Sequence, residues 1–285
     1  MKQRIETAKQ NHGVYFIVEL GQNHQGSIDI AKQMIDSLVG TGVAAVKTAK
    51  RDIEVEAWKQ QPYENKNSFG ATYYEHRKAL ELSKDDFWEL KRYAESKGFD
   101  FISSFTDLNS LDFLNEIGVR WLKIASSRVT DIPLLKAAAA TKKPIILSTG
   151  MSTIPEIFKA LRIFAENETY LLQCTASYPC NESDLNLNVI NTYKEIFCKC
   201  AGYGFSGHHA GIAPDIAAYC MGIDILERHY TLNRSWKGTD HAASLTLDGI
   251  KYIMKYIEQI KAAMGSYDKR VLECEQYSLK KLRKL

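Results

Sequence analysis

His208 stands near the end of the run "GFSGHH", and His229 closes "ILERH". Each is an imidazole that ends a short apolar run. Neutral imidazole is the commonest metal ligand, and two from neighbouring elements suit a divalent transition ion with open positions. Such an ion polarises a carbonyl as a Lewis acid. A single histidine after a strand is more often a packing residue; two at the ends of consecutive strands shift the balance. The adjacent His209 is read as pointing elsewhere. Other run ends add Lys47 in "VAAVK", Lys123 in "RWLKIA", and hydroxyls at Ser103-Ser104, Ser126, Ser148-Thr149, Thr175 and Ser206. Glu19, Glu227 and Tyr178 fall at similar points. Ammoniums supply charge and hydroxyls supply directed hydrogen bonds, the complement of a ligand that is both phosphorylated and carboxylated. A strand-end lysine can also simply snorkel. The turn "STGMST" serves equally as a helix cap or as a row of N–H groups for phosphate.

Residues like these must be held by a frame, and the frame repeats. Strand runs are expected at 14–20, 43–47, 99–104, 120–125, 144–148, 169–174, 202–206 and 223–229. Helical spacing is expected at 27–39, 84–97, 107–117, 131–141, 153–166, 186–198, 211–221 and 247–264. Ser83, Asp131 and Thr153 stand as helix N-caps, and Gly42, Gly98, Gly118 and Gly222 as helix stops. Eight strand–helix pairs predict a single-domain (β/α)8 TIM barrel, whose chemistry sits at the carboxyl ends of its strands. A doubly wound sheet is the alternative, but no GxGxxG turn follows the first strand. The longest irregular stretch, 51–75, would rise over the active-site end. Residues 1–13 read as an N-terminal extension and 266–285 as a C-terminal tail.

Composition narrows the class further. With 37 Lys+Arg against 34 Asp+Glu the net charge is +3, too balanced for a nucleic-acid binder. No apolar run is long enough to cross a membrane, and the first residues lack a signal peptide's apolar core. Six cysteines without CxxC spacing read as reduced thiols of a cytoplasmic protein.

The segments "VELGQNHQGSIDIAKQMID", "NSFGATYYEHRKALELS", "WLKIASSRVTDIPLL", "PIILSTGMST", "LLQCTASYPC", "GFSGHHAGI" and "LERHYTLNRSWKGTDHAASL" together resemble the N-acetylneuraminate (sialic acid) and nonulosonate synthases, over about residues 14–264. The resemblance implies condensation of phosphoenolpyruvate with a sugar aldehyde to give a 2-keto-3-deoxy sugar acid and phosphate. It implies a divalent metal, commonly Mn²⁺, on His208 and His229. It assigns phosphoenolpyruvate to Lys47, Ser104, Lys123, Ser126, Ser148 and Ser206. Glu19, Tyr178 and Asp240 would face the sugar as catalytic residues, with Glu19 or Asp240 handling water, and Asn23 would join them. It also implies a homodimer. The family's "SDHT" reads Ser206-Gly207-His208-His209 here, and its asparagine after "CT" is Ala176. A small antifreeze-like domain, which lends an arginine to the partner's sugar site, is expected to be absent. Arg128 is the expected replacement on the barrel, and Arg77 the alternate, closing from the long loop. Alternatively, Arg128 pairs with a nearby acid and orients Asp131. A barrel metallohydrolase and a non-catalytic sugar-phosphate binder are the competing functions.

Overall fold

A computed structural model describes residues 1–55 and 60–283. Eight parallel strands close into a barrel in sequence order. They are β1 Tyr15–Gly21, β2 Ala45–Lys50, β3 Asp100–Phe105, β4 Leu122–Ile124, β5 Ile145–Ser148, β6 Thr169–Cys174, β7 Gly202–Gly207 and β8 Ile225–His229. The expected TIM barrel is the observed fold. Most strands shift by one to three residues from their expected bounds. The largest shift is in β2, which runs on through Lys50 because Thr48, Ala49 and Lys50 pair with Ser103, Ser104 and Phe105 of β3.

The described residues form helices α1 Lys2–His12, α2 Ile28–Leu38, α3 Tyr73–Leu80, α4 Lys84–Ser96, α5 Leu108–Glu116, α6 Ile132–Ala140, α7 Ile154–Ile163, α8 Val189–Ile196, α9 Ala213–Cys220, α10 Leu247–Met264 and α11 Gln276–Leu282. Eight match the expected helices. The additions are α1, α3 and α11. Helix α3 lies inside the segment 51–75 and beyond it; residues 56–59 of that segment fall outside the described residues. A reciprocal capping box between Thr72 and Glu75 starts α3. The polar first segment is also a helix: α1 turns Ile5 and Ala8 against the floor of the barrel. The ion pairs Arg4–Asp100 and Lys9–Asp224 fasten it there.

Strand side chains alternate between two faces. Phe16, Val18 and Leu20 of β1 point outward into the large core shared with the helices. Tyr15 and Ile17 point inward, with Ala45, Ile102, Trp121, Ile146, Tyr170, Leu172 and Ile225 from the other strands. This layer fills the lower half of the barrel with apolar side chains. One step higher on the same inward faces stand Glu19, Lys47, Ser104, Lys123, Ser148, Cys174, Ser206 and Glu227. The barrel interior therefore changes from oil to charge within two residues on nearly every strand.

Candidate active site

The polar layer floors a cavity of about 490 Å³ at the carboxyl ends of the strands. Register brings the charges together: Glu19 sits beside Lys47 on one side and His229 on the other. The Lys47 ammonium pairs with the Glu19 carboxylate and lies 4.0 Å from Glu227 Oε1. Lys123 Nζ lies 3.8 Å from the same Glu227 oxygen and donates to Ser148 Oγ at 2.6 Å. Ser206 Oγ donates to Glu227 Oε1 at 3.1 Å. Glu227, placed two residues before His229 and so on the same face, is the hub of this layer. Burial pushes its carboxyl up, but Lys123, Lys47, His229 and the Ser206 hydrogen bond together hold it below its ordinary value. Burial pushes the Lys47 ammonium down to about 8, against the attraction of Glu227 and with the repulsion of Lys123.

The two histidines face each other with ring centroids 5.3 Å apart. His208 Nδ1 lies 3.0 Å from the Thr175 carbonyl oxygen and donates to it, which leaves Nε2 as the nitrogen for a metal ion. His229 Nδ1 is buried without a hydrogen-bond partner, and burial lowers this ring's affinity for a proton. Two imidazoles so arranged fit a divalent ion. No cluster of three or more His, Cys, Asp or Glu suited to an ion occurs among the described residues, so further ligands would be water or substrate. Tyr178 packs on both rings, at 4.1 Å and 5.8 Å. Asp240 Oδ2 lies 3.7 Å from His229 Nδ1, and Gln22 and Thr239 hold its carboxylate by hydrogen bonds of 2.8–3.3 Å.

Glu19, Lys47, Arg77, Ser104, Lys123, Ser126, Ser148, Tyr178, Ser206, His208, His229 and Asp240 all line this one cavity. Ser126 Oγ also accepts from Gly150 N at 2.9 Å. The capping box of Thr153 and Glu156 begins α7 just beyond, so the "STGMST" turn serves as a helix start. Two residues expected to hold sugar lie elsewhere. Asn23 is buried, and its amide donates to the Tyr230 carbonyl and Ser244 Oγ at 2.7 and 2.8 Å, tying the turn after β1 to the loop after β8. Arg128 lies on a single turn after β4, with Nη1 3.7 Å from Asp131 Oδ2. Asp131 in turn caps α6 by accepting from Leu134 N. Arg128 thus sits where the helix-orienting alternative put it. His209 turns away from the cavity to Arg228 and Asp215. Sequence reading passed over Arg51, Gln22, Tyr63 and Tyr73, all of which line the cavity. The signal for Arg51 was present: Lys47, Ala49 and Arg51 alternate, as do Glu227 and His229.

Residues 34–269 match the NeuB family. The chain belongs to the NeuB family. This NeuB chain is 37% identical over 279 residues to the human N-acetylneuraminate-9-phosphate synthase, covering 96% of itself and 77% of that protein. It is 35% identical to the N,N'-diacetyllegionaminic acid synthase of Campylobacter jejuni, covering 94% and 82%. Among solved structures, the NeuB barrel superposes on the N-acetylneuraminic acid synthetase of Leptospira borgpetersenii, solved in complex with citrate. The TM-score is 0.81 at 32% identity, with 94% of this chain and 90% of that one covered.

Proposed function

We propose that this NeuB barrel condenses phosphoenolpyruvate with an aldose to give a 2-keto-3-deoxy sugar acid and inorganic phosphate. The observation that carries the reading is the polar layer of the barrel. Two lysines and a ring of serines face two imidazoles in one cavity, in a chain this similar to nonulosonate synthases.

Lys47 and Lys123 hold the acidic groups of phosphoenolpyruvate, and Ser104, Ser126, Ser148 and Ser206 direct its oxygens. C3 of phosphoenolpyruvate attacks the aldehyde carbon, and the new C–C bond takes the electrons of the enol double bond. The aldehyde oxygen takes up a proton. C2, left electron-poor, is captured by water; its bond to the phosphate oxygen then breaks and phosphate leaves. Glu227 and Glu19, both buried beside this point, stabilise positive charge at C2. Glu19 Oε1 has no hydrogen-bond partner, which leaves it free to orient the water. Asp240, with Gln22 and Thr239, is placed against the acceptor. A divalent ion such as Mn²⁺ held by His208 and His229 would supply Lewis-acid polarisation of the acceptor carbonyl.

The test is direct. The protein is incubated with phosphoenolpyruvate, Mn²⁺ and a panel of N-acetylhexosamines, free and phosphorylated, while phosphate and 2-keto acid are followed. Release that depends on the sugar, with equal formation of keto acid, supports condensation. Phosphate release without sugar would indicate a hydrolase, and no release would leave a binder.

A further inference from the structure

Arg228, His209 and Asp215 form a charged cluster behind the barrel wall that takes no part in the chemistry of the cavity. Each is at most 1% exposed. The Arg228 guanidinium pairs with the Asp215 carboxylate through Nη1. The same Nη1 lies 2.9 Å from His209 Nε2 and donates to the Gly211 carbonyl at 3.2 Å. Arg228 Nη2 donates to the His209 carbonyl at 2.6 Å. His209 Nε2 also lies 3.2 Å from Asp215 Oδ2. The His209 ring stacks on Phe205 of the outer core, with centroids 5.8 Å apart. A Cβ at Gly207 would stand 2.8 Å from the Phe205 ring and 2.9 Å from the His209 ring, so the glycine makes room for this stack.

The place of these residues in the chain gives them a use. Side chains alternate along a strand, so Arg228 points outward between Glu227 and His229, which line the cavity. His209 points outward beside the inward His208. The register of β7 on β8 ends where Gly207 stands opposite Arg228. His208 lies one residue past that point. There the Arg228 fork continues the tie between the two segments by gripping the His209 carbonyl. Asp215, in the first turn of α9, holds the fork from the helix side. A buried ion pair is seldom worth more to stability than apolar residues of similar volume. What a planar fork with fixed partners adds is geometry.

We propose that Arg228, held by Asp215 and His209, is a positioning residue that sets the His208 and His229 rings at the spacing a divalent ion needs. Inside the cavity the Thr175 carbonyl and the Tyr178 ring settle how the imidazoles are turned. The distance between their backbones, and with it the ring separation of 5.3 Å, is set from behind the wall. None of the three cluster residues lines the cavity, so they act through the histidines alone. Among the described residues no cluster of three or more ligating side chains stands ready to make up for a displaced ring. The proposal rests on the reading that these two imidazoles hold the ion.

The experiment reads Mn²⁺ binding by electron paramagnetic resonance in three variants. Asp215→Asn keeps the shape of the side chain and removes its charge. Arg228→Lys keeps the charge and removes the fork. Arg228→Met combined with Asp215→Leu removes both charges at similar volume, and should keep the urea midpoint of the unsubstituted protein. Each variant should bind Mn²⁺ at least tenfold more weakly and change the zero-field splitting of the bound ion, with an unchanged circular dichroism spectrum. Full Mn²⁺ affinity in the variants that fold would overturn the proposal. Failure of all three to fold would also overturn it, by making the cluster a structural one. His208→Ala and His229→Ala separate the proposal from the reading beneath it. If Mn²⁺ binding survives in both, the ion lies elsewhere, and a crystal structure of a folded cluster variant decides the matter. Rings displaced by about 1 Å or more, enough to spoil a ligand geometry, would support the positioning role, and unmoved rings would refute it.

Discussion

Burial brings the Lys47 ammonium down to about 8, from an ordinary value above 10. Its charge is therefore complete below that pH and lost as pH rises through it. Since kcat/KM reports free-enzyme ionisations, kcat/KM for phosphoenolpyruvate should fall above about pH 8. Lys47→Arg, which cannot lose its charge in that range, should carry the descending limb to higher pH even if its maximum is lower. An unshifted limb in that variant would assign the ionisation to another group. The imidazole pair gives a second residue-scale expectation. His208→Ala or His229→Ala should weaken Mn²⁺ binding at least tenfold by electron paramagnetic resonance, with an unchanged circular dichroism spectrum. Undiminished Mn²⁺ binding in both variants would remove the ion from these rings. At this scale the sequence showed residue types well and directions poorly. Asn23 and Arg128 have the right chemistry near the right strands, yet one braces two loops and the other stands beside a helix cap. Arg51 was passed over because the apolar run "VAAVK" ends at Lys47, although the alternation continues past it.

Two loops over the strand ends are pinned by buried histidines. His24 Nδ1 accepts from Gly26 N, and His76 Nδ1 accepts from Phe69 N, both at 3.1 Å. Burial above all lowers each ring from 6.5 to about 4. Between these values the unfolded chain binds protons that the folded one refuses, so stability is full above pH 6.5 and falls as pH drops towards 4. The loss amounts to roughly 3 kcal/mol per ring at most. Urea denaturation at pH 7 and pH 4.5 should show it. In His24→Asn the difference between the two pH values should shrink, and an equal difference would place the proton uptake elsewhere. The elements themselves were legible where they are long and two-sided. Helix α3 was hidden because its eight residues bury only His76 and Leu80 and sit in a stretch rich in turn residues. Its one clear mark was the Thr72–Glu75 capping box. Helix α1 was hidden because Ile5 and Ala8 are its only buried residues.

Across the whole molecule the barrel interior has two storeys, and the same inward faces build both. The lower one, closed by α1, is apolar; the upper one carries the charges. Apolar runs revealed the lower storey and the polar run ends revealed the upper. Their stacking on alternate residues is a three-dimensional consequence of register. The division predicts that stability and chemistry separate. Ile5 belongs to the interior layer and is 3% exposed. Ile5→Ala removes buried methyl groups and leaves a cavity beneath the barrel, which should lower unfolding free energy by about 2–5 kcal/mol. Mn²⁺ affinity and the KM of phosphoenolpyruvate should change less than twofold at 25 °C, because the intervening layer of Tyr15, Ile17 and Ile146 stays packed. Denaturant melts and titrations on one preparation decide the matter. A loss of ligand affinity equal in free energy to the loss of stability would show that the floor and the site move as one body, and that the two storeys are not independent.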